Sequence, residues 1–244
     1  YSKHGKKNEK NNIKMNKFNN TKIFADGADF NEMLKLSKTS FVKGLTTNPS
    51  LMRKNGISDY KLFAKKILKK IKKKPISLEV FSDNIEEMKE QALKINSWGK
   101  NIYVKIPVTN TKKKSTAKLI KYLTSKNIKV NVTAIMTLKQ VKEVLKNLNP
   151  KIPSYISIFA GRIADTGRDP MPTMQAALKL MKKNKRSELI WASTREIYNI
   201  YQAHKIKCHV ITVTSDLIKK FPLLDYNLEK YSLDTVKGFR DDAV

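Results

Sequence analysis

A lysine lies inside an apolar run in the stretch KNIYVKIPVTN, residues 100–110. The flanking apolar residues predict a strand that is buried on both faces. Pro107 ends this strand, because proline has no N–H to donate to a neighbouring strand. Lys105 therefore lies at the end of a buried strand, where we expect it to do chemistry. The alternative, from spacing alone, is an edge-strand lysine that reaches solvent.

The amine of a lysine in such a place can act as a nucleophile. A lysine titrates at about 10.4 in water, and removal from water favours the neutral amine with its free lone pair. A neutral amine attacks a ketone to form a Schiff base, which accepts electrons when the neighbouring C–C bond breaks. This step needs a carboxylate to take a proton from a substrate hydroxyl. Asp26, in FADGAD, and Glu79, in SLEVF, are the candidates.

The elements that position these residues alternate regularly. Helix-period stretches separate eight apolar runs, which predict strands over residues 22–25, 41–46, 76–81, 102–106, 128–133, 154–159, 188–192 and 210–213. Eight such units in about 220 residues fit an α/β fold with a single closed (β/α)₈ TIM barrel. An open doubly wound sheet is the alternative, but its GxGxxG turn is missing. We expect one barrel domain over residues 21–244, which includes a C-terminal helical arm over 221–244.

The carboxyl ends of the strands are where a barrel of this kind carries its chemistry. The polar and aromatic residues predicted there are Asp26, Thr46, Thr47, Asn48, Glu79, Lys105, Asn131, Thr133, Ser157, Phe159, Arg162, Ser193 and Arg195. Only six of the 50 basic residues are Arg. An arginine at a strand end is therefore a candidate for bidentate phosphate binding, which needs a planar fork.

Several of these residues have a plainer interpretation. Asp26 could cap the following helix, in competition with Asp29. Glu79 could be a structural partner of a lysine, because a carboxylate in an apolar strand is costly unless it is paired. Asn48 before a proline could be a turn residue. Ser193 has the spacing of a capping box with Glu196, as Asp83 has with Glu86 and Thr137 with Gln140.

Composition limits the classes of function. The net charge of +29 suggests nucleic acid, but the lysines are spread over nearly every helix, so we expect no specific nucleic-acid partner. One cysteine and three scattered histidines predict no disulfide, metal site or cofactor. No apolar run has the length of a membrane span, and no leader is evident, so we expect a cytoplasmic protein. Residues 1–20 predict a disordered basic tail, or sequence upstream of a true start at Met15.

Four motifs carry a resemblance to a known family. GLTTNPSL, YVKIPVT, FAGRI and ASTRE, in this order, resemble the transaldolase family of class I, Schiff-base aldolases over about residues 20–240. The resemblance implies transfer of a dihydroxyacetone unit between sugar phosphates. It implies that Lys105 forms the Schiff base, that Asp26 is the acid/base for C–C cleavage, and that Glu79 and Thr133 hold a catalytic water. The implied substrate-binding residues are Thr47, Asn48, Asn131, Ser157 and Phe159, with Arg162, Ser193 and Arg195 for phosphate.

Related fructose-6-phosphate aldolases tend to have Gln at the position of Glu79 and Tyr at that of Phe159, so both residues favour transfer. The chain departs from the family at Gly27 and Thr194, and in the stretch IADTGRDPMP after Arg162, to which no role is assigned. Free aldol cleavage and a noncatalytic polyanion-binding barrel are the alternative functions. The expected partners are sugar phosphates and further copies of the chain, and the expected role is in carbohydrate metabolism, with the pentose phosphate pathway as one setting.

Overall fold

A computed structural model describes residues 17–244, which form a closed barrel of eight parallel strands. The strands are β1 (Lys22–Asp26), β2 (Val42–Thr46), β3 (Ile76–Glu79), β4 (Ile102–Pro107), β5 (Val130–Ile135), β6 (Ser154–Ile158), β7 (Ser187–Trp191) and β8 (Val210–Thr214). Each strand pairs with the next, and β8 closes the ring against β1. The predicted (β/α)₈ barrel is confirmed, with strand ends within two residues of those predicted.

Helices connect the strands and cover the outside of the barrel. They are α1 (Phe30–Ser37), α2 (Pro49–Lys54), α3 (Tyr60–Lys70), α4 (Ile85–Asn96), α5 (Ala117–Ser125), α6 (Leu138–Asn147), α7 (Ala160–Asp165), α8 (Met171–Met181), α9 (Tyr198–Lys205), α10 (Ser215–Lys219) and α11 (Leu228–Asp242), with a 3₁₀ turn at Phe221–Leu223. Pairs of helices follow β2 and β6, so α2 and α7 are short additions at the carboxyl end of the barrel.

Two of the predicted helix starts can be compared directly. Thr137 and Gln140 form the predicted capping box at α6. At α4 the prediction was wrong by one residue, because the side chain of Asn84 caps the helix. Asp83 instead accepts hydrogen bonds from the backbone N–H and the hydroxyl of Thr111, so it ties the loop after β3 to the loop after β4.

Alternate residues of the strands face the inside of the barrel. On β4, Val104 packs in the core between strands and helices, whereas Tyr103 and Lys105 point the other way. Phe24 and Tyr155 make an edge-to-face contact with ring centroids 5.4 Å apart, one layer below Asp26 and Lys105. Gly44 leaves room for this ring, because a Cβ there would lie 2.5 Å from Phe24. The aromatic layer therefore forms a packed floor beneath the carboxyl-end residues.

The two ends of the described chain lie on the outside of the barrel. Phe18 is buried and packs edge-to-face on Tyr201 and His204, so the predicted disorder of residues 1–20 is wrong for residues 17–20, and residues 1–16 lie outside the described part. The predicted C-terminal arm over residues 221–244 contains the 3₁₀ turn and α11, and α10 lies just before it. Within residues 17–244, no helix is long and apolar enough to cross a membrane.

Candidate active site

A cavity of about 410 Å³ opens at the carboxyl ends of the strands. Eleven of the twelve predicted site residues line it: Asp26, Asn48, Glu79, Lys105, Asn131, Thr133, Ser157, Phe159, Arg162, Ser193 and Arg195. The twelfth, Thr47, does not. Its buried hydroxyl donates to the backbone oxygen of Ser77 at 3.4 Å, and its own carbonyl accepts from Lys105. Thr47 therefore positions the lysine through its backbone.

Lys105 is buried at the centre of this cavity. Its Nζ donates to the carbonyl of Thr47 at 2.7 Å and lies 3.1 Å from Oε2 of Glu79. Lys105 is only 6% exposed, so the ion pair with Glu79 is shielded from water. Glu79 thus has the lysine partner that the plainer interpretation required, and that partner is the candidate nucleophile. A carboxylate in contact with the amine can also exchange a proton with it.

Asp26 is the second carboxyl group of the cavity. It does not cap α1, because Asp29 does so by accepting from the N–H of Glu32. The Oδ1 of Asp26 instead accepts from the hydroxyl of Thr46 at 2.9 Å. Burial raises the pKa of Asp26, although the charge of Lys105 and the Thr46 hydrogen bond act in the opposite direction. A carboxylate with a raised pKa is a stronger base, which suits it to take a proton from a substrate hydroxyl and return it.

A buried polar chain crosses the barrel beside the lysine. Asn131 donates from Nδ2 to Oγ of Ser77 at 3.0 Å, and Ser157 donates to Oδ1 of Asn131 at 2.7 Å. The amide of Asn131 is thereby held in one orientation. Sequence reasoning missed Ser77, although it lies two residues before Glu79 and so on the same face of β3. That alternation was the signal that could have found it.

Thr133 presents a buried hydroxyl to the same cavity. Among the residues that the structure describes, its Oγ1 has no hydrogen-bond partner. A buried hydroxyl that forms no hydrogen bond is costly. The position therefore suits a hydroxyl group or a water in contact with Thr133.

The arginine side of the cavity is more exposed. Arg162 lies over the ring of Phe159, with its guanidinium carbon 5.9 Å from the ring centroid. The Nε and Nη2 of Arg195 donate to the carboxylate of Asp165, at the end of α7. This pair holds the pKa of Asp165 below its usual range through the hydrogen bond from Arg195. The structure thus brings both predicted arginines to the cavity, and it adds a carboxylate that the sequence did not indicate.

The loop after β7 does not have the predicted capping box. Ser193 is in the left-handed region with φ 63°, and α9 begins five residues later, at Tyr198. Instead of a Ser193–Glu196 pair, Oδ1 of Asn199 accepts from the N–H groups of Arg195 and Glu196. The capping-box interpretation was therefore wrong, because a side chain further along the chain satisfies these N–H groups.

Further cavity residues were not singled out by the sequence. Thr194, which was noted from the sequence only as a departure from the family, is buried and donates from its hydroxyl to the carbonyl of Thr212 at 2.6 Å.

Asn48 both lines the cavity and caps α2 by accepting from the N–H of Leu51, so its plainer interpretation also holds. In the described part of the chain, no group of three or more His, Cys, Asp or Glu side chains is placed to hold a metal ion.

Comparison with known proteins identifies the family. The family model described as Transaldolase/Fructose-6-phosphate aldolase matches residues 23–243. The chain belongs to the transaldolase/fructose-6-phosphate aldolase family. A "Probable transaldolase" from Sulfurihydrogenibium sp. (strain YO3AOP1) is 34% identical over 218 residues, which cover 87% of this chain and 95% of that protein. A "Probable transaldolase 2" from Listeria monocytogenes is 32% identical over 217 residues, with 87% and 95% covered. The chain is therefore an enzyme of the transaldolase family, and the predicted resemblance is confirmed.

Solved structures of low sequence similarity share the fold. A candidate lyase/mutase from Burkholderia cenocepacia J2315 superposes with a TM-score of 0.57 at 9% identity, over 92% of this chain and 84% of that one. A candidate phosphonomutase from the same organism gives 0.53 at 10% identity, over 89% and 94%. At this identity the similarity concerns the barrel alone.

Proposed function

We propose that this enzyme transfers a dihydroxyacetone unit from a ketose phosphate to an aldose phosphate through a Schiff base on Lys105. The observation that carries the proposal is the buried Lys105, 3.1 Å from Glu79 and in one cavity with Asp26. Relatives named as probable transaldolases at 32–34% identity support the reaction class. Sugar phosphates are the proposed substrates, and the proposed mechanism uses no cofactor.

Imine formation is the first stage of the proposed reaction. The neutral amine of Lys105 attacks the ketone carbon, and the carbonyl oxygen leaves as water after it has gained two protons. Glu79 is the carboxylate in contact with Nζ and can take the proton that the amine loses. The hydroxyl of Thr133, which has no hydrogen-bond partner within residues 17–244, is a suitable partner for the water that leaves and later returns.

Carbon–carbon cleavage follows, with Asp26 as the base. The carboxylate removes the proton of the substrate hydroxyl beyond the bond to be broken, and that oxygen becomes the aldehyde of the leaving aldose phosphate. The bond's electron pair moves into the protonated imine and leaves an enamine on Lys105. An acceptor aldehyde then reacts with the enamine and Asp26 returns the proton. Hydrolysis of the imine frees the product and the amine.

Substrate binding is divided between two groups of residues in this proposal. Asn131 and Ser157, already held by the buried polar chain, bind hydroxyl groups of the dihydroxyacetone unit, together with Asn48. Arg162, Ser193 and Arg195 bind the phosphate at the open side of the cavity. Fixed donors of this kind stabilise charge without reorganisation during the reaction.

Free aldol cleavage is the second candidate, and it differs in the fate of the enamine. Release of dihydroxyacetone requires protonation of the enamine carbon. Phe159 lines the cavity with a ring that carries no hydroxyl to assist that protonation. An enamine that is protonated slowly persists until an acceptor aldehyde arrives, so Phe159 favours transfer.

Assembly and location complete the proposal. We propose a homo-oligomer, because α11 has an apolar stripe of Leu228, Tyr231, Val236 and Phe239, and no residue of this described helix is buried in the single chain. A cytoplasmic location, in carbohydrate metabolism, is proposed from the use of a single, buried cysteine, Cys208.

Borohydride trapping tests the proposed function. Borohydride reduces only an imine to a stable adduct, so wild-type enzyme should lose activity when fructose 6-phosphate and borohydride are present together. Lys105→Arg should form no adduct. Lys129→Arg is the matched control: this half-buried lysine precedes β5 at the opposite end of the barrel, where it donates to the carbonyl of Lys100, and its replacement should trap like wild type. An untrapped wild type would contradict the proposal and leave the polyanion-binding barrel as the alternative. A trapped Lys105→Arg would place the imine on another lysine.

A further inference from the structure

A carboxylate in the stretch IADTGRDPMP contacts the cavity wall but has no role in the mechanism above. Asp165, the last residue of α7, accepts hydrogen bonds from Nε of Arg195 at 3.0 Å and from Nη2. Arg195 lines the cavity, whereas Asp165 does not. We propose that Asp165 is a positioning residue that fixes the guanidinium of Arg195 for the substrate phosphate. The inference rests on the proposed function, which supplies the phosphate.

The geometry of the pair leaves part of the guanidinium available to an anion. A guanidinium carries five N–H donors in a planar fork. Asp165 binds the edge formed by Nε and Nη2. The edge formed by Nη1 and Nη2 has the spacing for bidentate contact with a phosphate. One arginine can therefore hold Asp165 and a phosphate together, on different edges.

The backbone on both sides of this pair is fixed. The N–H of Gly161 in α7 donates to the carbonyl of Ala192, and a Cβ on Gly161 would lie 1.6 Å from the carbonyl oxygen of Ser193. Only glycine permits this approach of α7 to the loop after β7. On the loop side, Asn199 accepts from the N–H of Arg195. The scaffold thus brings Asp165 within reach of an arginine 30 residues later in the chain.

Asp165 orders a side chain that the scaffold leaves half exposed. The side chain of Arg195 is 46% exposed and that of Asp165 is 50% exposed. An arginine with no partner side chain loses rotamer freedom when it binds a ligand. A partner that orders the arginine before the ligand arrives improves binding by roughly threefold to tenfold. The negative charge of Asp165 also repels a phosphate, but both groups are open to solvent and salt, which weaken that repulsion. The net effect of Asp165 is therefore to favour phosphate binding.

Variants of Asp165, compared on phosphorylated and unphosphorylated substrates, test the inference. In Asp165→Ala, KM for fructose 6-phosphate and the inhibition constant of inorganic phosphate should both rise roughly threefold to tenfold. The kcat, and KM for unphosphorylated fructose, should not change. Asp165→Glu should restore part of the loss. Glu86→Gln is the control, because it removes the carboxylate of another exposed ion pair, that with Lys89 on α4.

Three kinetic outcomes would overturn the inference. A lower KM in Asp165→Ala would show that the carboxylate competes with phosphate. Equal losses on both substrate types would show that it supports the fold, and unchanged constants would show that Arg195 needs no partner. If Asp165→Ala does not fold, as judged by circular dichroism, Asp165→Asn replaces it with the same expectations. Calorimetric binding of inorganic phosphate gives a readout that does not depend on turnover. If wild type traps no imine but Asp165→Ala still binds phosphate more weakly than wild type, the proposed function fails and this inference stands.

Discussion

The two halves of the cavity are built from different elements. The lysine half, Asp26, Glu79, Lys105 and Asn131, projects from the strands of the barrel, and its members contact one another or a buried neighbour. The phosphate half, Arg162, Ser193 and Arg195, projects from α7 and the loop after β7, and both arginines are exposed. The strand-borne half is therefore largely buried and held in place by its contacts, which suits bond-making steps, whereas the exposed half suits a ligand that enters from water.

This difference leads to different expectations for mutation. Removal of a group from the lysine half should affect the chemical step itself. Removal of a group from the phosphate half should affect the binding of phosphorylated substrates and leave the chemistry of the amine intact.

The largest effect is expected for Lys105→Ala. Without the amine no imine can form, so transfer from fructose 6-phosphate to erythrose 4-phosphate should fall below detection. The measurement is a coupled transfer assay, with circular dichroism to verify the fold. Removal of the lysine also leaves the largely buried carboxylate of Glu79 without its partner, so a lower melting temperature is expected. Transfer at more than a trace level would assign the nucleophile elsewhere.

Asp26→Asn should be the next most severe change. Loss of a general base lowers turnover by about 10²- to 10⁴-fold, but the amine remains, so borohydride should still trap an adduct. Loss of trapping together with turnover would show that Asp26 is needed for imine formation rather than for cleavage.

The raised pKa of Asp26 also predicts how stability depends on pH. A carboxyl group whose pKa is higher in the folded state than in the unfolded state stabilises the fold at low pH. The protein loses this stabilisation as pH rises through the folded pKa. Asp26→Asn removes this loss, so its melting temperature should exceed that of wild type at neutral pH. The difference should shrink as pH falls towards the ordinary value of 3.8. A difference that grows at low pH would contradict the sign of the shift.

Arg195→Lys should have a smaller and more selective effect. It keeps the charge but loses the fork and the two-point contact with Asp165, so KM for fructose 6-phosphate should rise by about tenfold. KM for unphosphorylated substrates should hardly change. Steady-state kinetics on both substrate types is the measurement, and equal losses would assign the arginine to support of the fold.

Phe159→Tyr is expected to give the smallest change, a shift of a few-fold in the ratio of two rates. A hydroxyl near the enamine should raise release of free dihydroxyacetone from fructose 6-phosphate relative to transfer onto erythrose 4-phosphate. Wild-type enzyme that already releases dihydroxyacetone faster than it transfers it would favour the aldolase as the function.

The sequence predicted the two halves unequally well. Lys105, Glu79 and Asn131 are polar residues within apolar runs, so the sequence could assign them to the carboxyl ends of the strands. Side chains two residues apart on a strand share a face. The same rule extends to Ser77, which was overlooked. Strand pairing in a closed parallel barrel then brings the strand ends together whatever the details of the loops.

The phosphate half depends on contacts that follow no local period. The Asp165–Arg195 pair joins residues 30 apart, and it exists because Gly161 allows α7 to approach the loop after β7. The sequence spacing of Ser193 and Glu196 predicted a capping box, but Asn199 binds the N–H groups of this loop instead. Such competition between possible partners is decided by tertiary packing, so the sequence identified the arginines but not what holds them.

We infer that the lysine half performs the chemistry and that the phosphate half only binds. The most direct test of this inference is to map the borohydride-reduced adduct of dihydroxyacetone, which lacks a phosphate, by mass spectrometry of proteolytic peptides in wild type and in Arg195→Lys. We expect the same adduct, on the peptide that contains Lys105, in equal yield in both proteins. An adduct on another lysine, or one that is lost in Arg195→Lys, would contradict this inference.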